Sequence, residues 1–182
     1  GDILFLMEPS AVVTLGSRTA GDPLLLPPEC FLERGIEVLQ VDRGGEATYH
    51  GPGQLLGYPV VYLAPDERDL HLLLRGIEQA LIEALRGLGV AARAQTGRTG
   101  VWVEERKIAS IGLSCRGWVT GHGFALNLGG DLSPFSLIVP CGMRGCSPTS
   151  VEAETGARPP RAVVEEIVAE RLAHHLGRRR LR

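Results

Sequence analysis

Residues 100–128 read G-V-W-V-E-E-R-K-I-A-S-I-G-L-S-C-R-G-W-V-T-G-H-G-F-A-L-N-L, and this stretch decides the fold class. It divides into three strand-forming runs, Gly100–Glu104, Lys107–Cys115 and Trp118–Leu128, each bounded by turn formers. The pair Glu105-Arg106 suits a short hairpin turn between the first two, and a fourth apolar run, Ser136–Val139, follows. Working outward, Leu70, Leu73, Leu74, Ile77, Leu81, Leu85 and Leu88 recur at three- and four-residue spacing, the stripe of an amphipathic helix over Asp69–Leu88. Asp69 fits its N-cap and Gly89 its C′ position. A second helix is predicted from Pro160, at its first position, to Leu176, with Val163, Val164, Ile167, Val168 and Leu172 inward and Gly177 closing it. Arg178-Arg179-Arg180 then reads as a solvated tail favoured by the helix dipole. On the N-terminal side, Gly35–Val41 reads as a mostly buried strand. Gln54–Leu63 reads as another, which Pro59 confines to an edge or a bulge. Strands before and after a central helix predict an α+β fold with a mixed or antiparallel sheet and flanking helices.

At 182 residues the chain suits one domain, 1–182, by the rule of ~150 residues per domain. Hydrophobic residues at 44% and charged residues at 22% fit a globular core. Net charge is −2 with no basic stripe, which argues against a nucleic-acid partner. No run approaches the ~18 apolar residues of a membrane span, and Asp2–Met7 is too short for a secretory signal. A cytoplasmic, monomeric protein is expected. Cys30, Cys115, Cys141 and Cys146 are sparse and irregularly spaced, as free thiols would be.

Three places could carry chemistry. Arg43–Gln54 (R-G-G-E-A-T-Y-H-G-P-G-Q) packs four glycines, a proline, a histidine and an arginine into twelve positions. Such a loop after a strand admits a ligand to backbone N–H donors; it is neither a dinucleotide fingerprint nor a P-loop. The alternative is a cluster of turns with His50 satisfied inside it. Lys107 is the single lysine beside eighteen arginines. An ammonium, unlike a guanidinium, can give up its proton when desolvated; the alternative is a solvent-facing turn residue. Cys141, between Pro140 and Gly142 after an apolar run, is placed to present a thiol at a strand end, and Cys146 has a similar setting. A zinc site from His50, His122, Cys141 and Cys146 lacks the usual ligand spacing, so no metal is expected. Trp102 and Trp118 are expected to pack in the core.

Together, R-G-G-E-A-T-Y-H-G-P-G-Q-L-L-G-Y-P at 43–59, T-G-V-W-V at 99–103, K-I-A-S-I-G at 107–112, W-V-T-G-H-G-F-A-L-N at 118–127 and I-V-P-C-G at 138–142 resemble the lipoyl(octanoyl) transferases, octanoyl-acyl carrier protein:protein N-octanoyltransferases. The resemblance implies a fold similar to the catalytic domain of biotin- and lipoate-protein ligases. It implies transfer of an octanoyl group from octanoyl-acyl carrier protein to a lysine ε-amine on lipoyl domains of 2-oxoacid dehydrogenase complexes and of the glycine cleavage H protein. Cys141 matches the family's acyl-accepting cysteine and Lys107 its lysine. Substrate contacts match Arg43, Gly44, Gly45, Glu46, Ala47, Thr48, Tyr49 and His50; Ser110, Ile111 and Gly112; and Gly123, Phe124 and Ala125. The donor carries phosphopantetheine, so neither ATP nor a metal cofactor is implied. The acyl slot would use the small Gly112, Gly123 and Ala125, where six methylenes contribute about 5 kcal/mol at ~0.8 kcal/mol each. A rim including Arg43, Arg116 or Arg144 would receive an acidic carrier. Relative to the family, a short N-terminal segment of about thirty residues is expected to be lacking. Rivals are an ATP-dependent ligase of the same fold, a non-catalytic acyl- or carrier-binding module, and a cysteine hydrolase.

Overall fold

Two sheets share the strands of the chain. In the computed structural model, which describes residues 1–19, 21–139 and 147–178, the larger is fully antiparallel, in the order β1-β5-β9-β8-β7-β6. These strands are β1 (Ile3–Met7), β5 (Gln54–Val60), β9 (Val119–Asn127), β8 (Arg106–Arg116), β7 (Arg98–Val103) and β6 (Arg93–Gln95). The smaller sheet has the order β3 (Glu37–Gln40), β2 (Val12–Leu15), β4 (Ala47–His50), with β2 parallel to β3 and antiparallel to β4. Helices α2 (Leu70–Gly87) and α4 (Arg161–His175) cover one face of the large sheet. Their Ile77, Leu81, Leu85, Val164, Val168 and Leu172 close the main core over Leu55, Phe124 and Leu126. A second core joins Val13, Ile36, Ala47 and Tyr49 to Phe31 of the short α1 (Pro28–Leu32) and to Phe135. A further short helix, α3 (Val151–Thr155), follows the large sheet. This is the expected α+β class.

Local chemistry sets the boundaries. The Asp69 carboxylate accepts the N–H groups of His71 and Leu72, at 2.8 and 3.0 Å, and Gly89 ends α2 at φ +82°; both positions follow the expected cap chemistry. At the β8–β9 hairpin, Gly117 and Trp118 both have positive φ, as a tight turn matching the strand twist requires.

Several details differ from the sequence reading. The β7–β8 turn is Glu104-Glu105, one residue earlier than expected, because Arg106 already pairs with Val103. Ser136–Val139 is no strand: Ser133–Leu137 forms a 3₁₀ helix, and only Ile138 bridges to Leu24. The strand in Gly35–Val41 lies on an edge, leaving Leu39 48% exposed. Pro59 is on an inner strand, yet β5 pairs with β9 only over Gln54–Gly57, so the missing N–H breaks no ladder bond there. Pro160 is the N-cap of α4 rather than its first residue, and Val163 faces outward. Trp118 sits in the hairpin turn with the Arg68 guanidinium 5.0 Å from its ring centroid, while Trp102 is fully buried. Arg178 is no solvated tail: it pairs with Glu67 and Asp2, both at 2.6 Å, and ties the end of α4 to the start of β1. Arg179 and Arg180 lie outside the described residues.

Candidate functional site

A β-bulge builds the site. Val101 pairs with Ala109 and the next residue, Trp102, pairs with Lys107, so Ile108 is an extra residue on β8. Ile108 and Ala109 both enter the main core, and Lys107 is turned onto the opposite face of the sheet. Simple alternation would have placed Lys107 with Ala109 in the core. Lys107 is only 8% exposed, with Nζ 5.1 Å from the Trp102 ring centroid, the stacking distance of a cation on an aromatic face. Its backbone is held from the outer side: its N–H donates to the Ser147 carbonyl and its own carbonyl accepts from Thr149 N–H, both at 2.9 Å. Glycine at 100 makes room for the side chain. Gly100 has φ +120°, and a Cβ there would come within 2.6 Å of Lys107 Cε.

Lys107 lines a solvent-open cleft between the two sheets. Around the same cleft stand Arg43, Gly44, Gly45, Glu46, Ala47, Thr48 and His50 from the glycine-rich segment, Ser110, Ile111 and Gly112 from β8, and Gly123, Phe124 and Ala125 from β9. Register explains the last two groups, since Ser110 faces Ala125 and Gly112 faces Gly123 across the β8–β9 ladder. Tyr49 is brought elsewhere. β4 is a buried strand rather than a loop, so its side chains alternate, and the Tyr49 ring meets Phe135 edge-on at 5.6 Å in the second core. Leu56, Tyr58 and His122 also line the cleft and were not assigned a substrate role from sequence. The alternation of Leu56 and Tyr58 along β5 was the available signal. Cys141, Cys146 and Arg144 lie outside the described residues; Cys30 and Cys115 are free thiols.

Arg43 is not a rim residue. Its guanidinium is buried and donates to Thr14 O at 2.7 Å and to Thr14 Oγ1 at 2.8 Å. A directed chain of hydrogen bonds continues from there. Thr14 Oγ1 meets His50 Nε2 at 3.3 Å, His50 Nδ1 meets Gln54 Oε1 at 3.2 Å, and Gln54 Nε2 donates to Tyr49 O at 3.2 Å. Because Gln54 turns its oxygen to the ring, the proton resides on Nδ1 and Nε2 accepts from the threonine hydroxyl. Burial, with the Arg43 charge adding to it, lowers the His50 pKa to about 4, so the ring is neutral at pH 7. The sign follows from linkage. The unfolded ring binds a proton below ~6.5 and the folded ring only below about 4, so this contribution is intact above pH 6.5 and lost as pH falls towards 4. Between pH 7 and pH 4.5 the native chain should lose about 2–3 kcal/mol more stability than His50→Gln. Urea unfolding of both proteins at the two pH values checks this, and equal losses would contradict it.

At the far side of the cleft the Asp42 carboxylate meets His122 Nε2 at 2.8 Å and Arg116 Nη2 at 3.1 Å. The hydrogen bond from His122, with the Arg116 guanidinium nearby, holds the Asp42 carboxyl below its ordinary range. The Arg116 side chain is 85% exposed.

The family model for the lipoyl protein ligase A/B catalytic domain matches residues 1–173. Among similar proteins, the octanoyltransferase of Geotalea uraniireducens is 51% identical over 155 residues, covering 85% of this chain and 69% of that one. That of Geobacter sulfurreducens is 48% identical, covering 85% and 63%. That of Geobacter metallireducens is 44% identical over 178 residues, covering 98% and 80%. The chain thus spans roughly two thirds to four fifths of the length of these relatives. Among solved structures, lipoate-protein ligase A bound with ATP superposes with a TM-score of 0.80 at 19% identity, over 97% of this chain and 73% of that one. The biotin protein ligase of Aquifex aeolicus with biotin and ATP gives 0.62 at 17% identity, over 91% and 70%. The antiparallel sheet backed by helices is therefore the ligase catalytic fold, and the chain belongs to the lipoyl protein ligase A/B catalytic-domain family, where it stands with the acyltransferase enzymes named octanoyltransferase.

Proposed function

We propose that this chain transfers an octanoyl group from the phosphopantetheine thioester of an acyl carrier protein to a lysine ε-amine on a lipoyl domain, through a thioester on Cys141. The observation that carries the reading is convergence: the single lysine and the substrate positions assigned from sequence, Tyr49 apart, surround one cleft. A floor of Ser110, Gly112, Gly123 and Ala125 offers an alkyl chain a slot without large side chains. The segment that follows Cys141 in sequence is seated on Lys107 through Ser147 and Thr149.

In the first half-reaction the Cys141 thiolate attacks the donor carbonyl. A carbon–sulfur bond forms to Cys141, the bond to pantetheine breaks, and the pantetheine thiolate takes its proton from the Lys107 ammonium, which is left neutral. A nearby ammonium, Lys107, favours the attacking thiolate. In the second half the acceptor amine attacks the acyl-Cys141 carbonyl, an amide forms, the bond to Cys141 breaks, and Lys107 Nζ accepts the amine's proton. The donor thioester supplies the activation, so the route uses neither ATP nor a metal. The acceptors are lipoyl domains of 2-oxoacid dehydrogenase complexes and the glycine cleavage H protein.

Intact-protein mass after mixing with octanoyl-acyl carrier protein, without ATP, tests the route. The native chain should gain one octanoyl mass, and Cys141→Ser should gain none. A native chain that stays unmodified, or a label that survives Cys141→Ser, would overturn the reading. Lipoylation that requires ATP would favour the ligase alternative.

A further inference from the structure

The cleft ends in a built wall. The turn Asp42–Gly45 crosses β8 at Gly112. Gly44 N–H donates to Leu113 O at 2.8 Å, and a Cβ at Gly112 would come within 2.7 Å of Gly44 O and 3.1 Å of Arg43 Cδ. The turn is pinned at Asp42 by His122, which lies opposite Leu113 on β9. His122 holds φ +57°, a conformation that non-glycine side chains rarely adopt, with its ring 5.6 Å from that of Tyr58.

The distance from the reacting end to this wall can be read from the strand lattice. Lys107 Nζ lies beside Gly100, whose neighbour Val101 pairs with Ala109. Gly112 is one strand across and about two residues along, a diagonal of about 8 Å at ~3.3 Å per residue and ~4.8 Å between strands. An extended eight-carbon acyl chain spans roughly 9 Å, seven bonds of about 1.5 Å in zigzag. A longer chain would have to displace Gly44 from Leu113 or lay methylenes on the Asp42 and His122 polar groups, stripping them of water.

We propose that the Asp42–His122 pair is a specificity-determining clamp that fixes the Asp42–Gly45 turn as the end wall of the acyl cleft and so limits the chain to about eight carbons. The inference rests on the octanoyl-transfer reading and deepens it. The strained backbone of His122 and the double seat of the turn, on Asp42 and Gly44, are accounted for together.

The test measures chain length in two ways. Transfer to a lipoyl domain is followed with equal mixtures of octanoyl and decanoyl carrier protein, and binding of octanoate, decanoate and dodecanoate to the full chain is followed by calorimetry. In His122→Gly, which suits the positive φ, and in His122→Asn, which tolerates it but is too short to reach Asp42, the decanoyl-to-octanoyl ratio should rise about tenfold, the scale on which a pocket discriminates a methylene. The native chain should bind octanoate better than the longer acids, and both variants should lose that cutoff. Ratios and cutoffs within twofold of native in both folded variants would overturn the clamp, as would a native chain with no cutoff at eight carbons. A native chain that shows the cutoff but transfers no octanoyl supports the clamp and overturns the transferase reading instead.

Discussion

Lys107→Arg should still take up an octanoyl group from the carrier protein but pass it to a lipoyl domain at least about a hundredfold more slowly, the scale of a lost general base. The substitution keeps a positive charge in the cleft, which favours the thiolate of the first half-reaction. It removes the ability to accept a proton, because a guanidinium does not deprotonate in a protein. The slot is also shaped for an ammonium. Gly100 packs so close to Lys107 that even a Cβ there would meet Cε at 2.6 Å, and the Trp102 ring lies 5.1 Å from Nζ. The acyl-enzyme should therefore accumulate in Lys107→Arg and form slowly in Lys107→Met. Single-turnover mass measurements separate the two steps. Wild-type turnover in Lys107→Arg would remove Lys107 from the chemistry.

Glu78→Ala should destabilise the chain by about 3–5 kcal/mol, the cost of breaking a buried charged network from one side. Glu78 lies in α2 with a fully buried side chain; one carboxylate oxygen accepts Gly100 N–H at 2.9 Å and the other accepts from Arg75 Nη1. Truncation leaves the Gly100 N–H buried without an acceptor and opens a cavity in the main core. Glu78→Gln keeps a carbonyl for Gly100 and should lose clearly less. At roughly 2–4 °C per kcal/mol for a chain of this size, the alanine variant should melt about 10 °C lower. Thermal unfolding of the three proteins side by side tests this, and a drop under about 2 °C would contradict it. Glu78 also fixes the glycine against which Lys107 rests, so at temperatures where Glu78→Ala is still folded its acyl transfer should fall as well.

Much of this protein was legible in one dimension. Asp69, the leucine stripe and Gly89 define α2 because capping and amphipathic spacing are local properties. The β8–β9 hairpin announced itself by two strand-forming runs around Gly117. The candidate substrate positions came from the family resemblance as three short segments, and pairing of Ser110 with Ala125 and Gly112 with Gly123 brings two of those segments together. Other features were decided only in three dimensions. The alternation of K-I-A-S-I gives no sign of the bulge at Ile108, which arises from pairing with β7 and moves Lys107 from the core face to the cleft. Glu78 interrupts an apolar helix face with no sequence sign that a glycine N–H twenty-two residues away awaits it. Tyr49 sits inside the matching segment yet turns away, since strand pairing of β4 with β2 sends alternate side chains to opposite faces. The sequence determined the two long helices, the β7, β8 and β9 strands and which residues are chemically apt. Register, bulges and the packing of one sheet against another decided which of them meet, because those depend on partners far away along the chain.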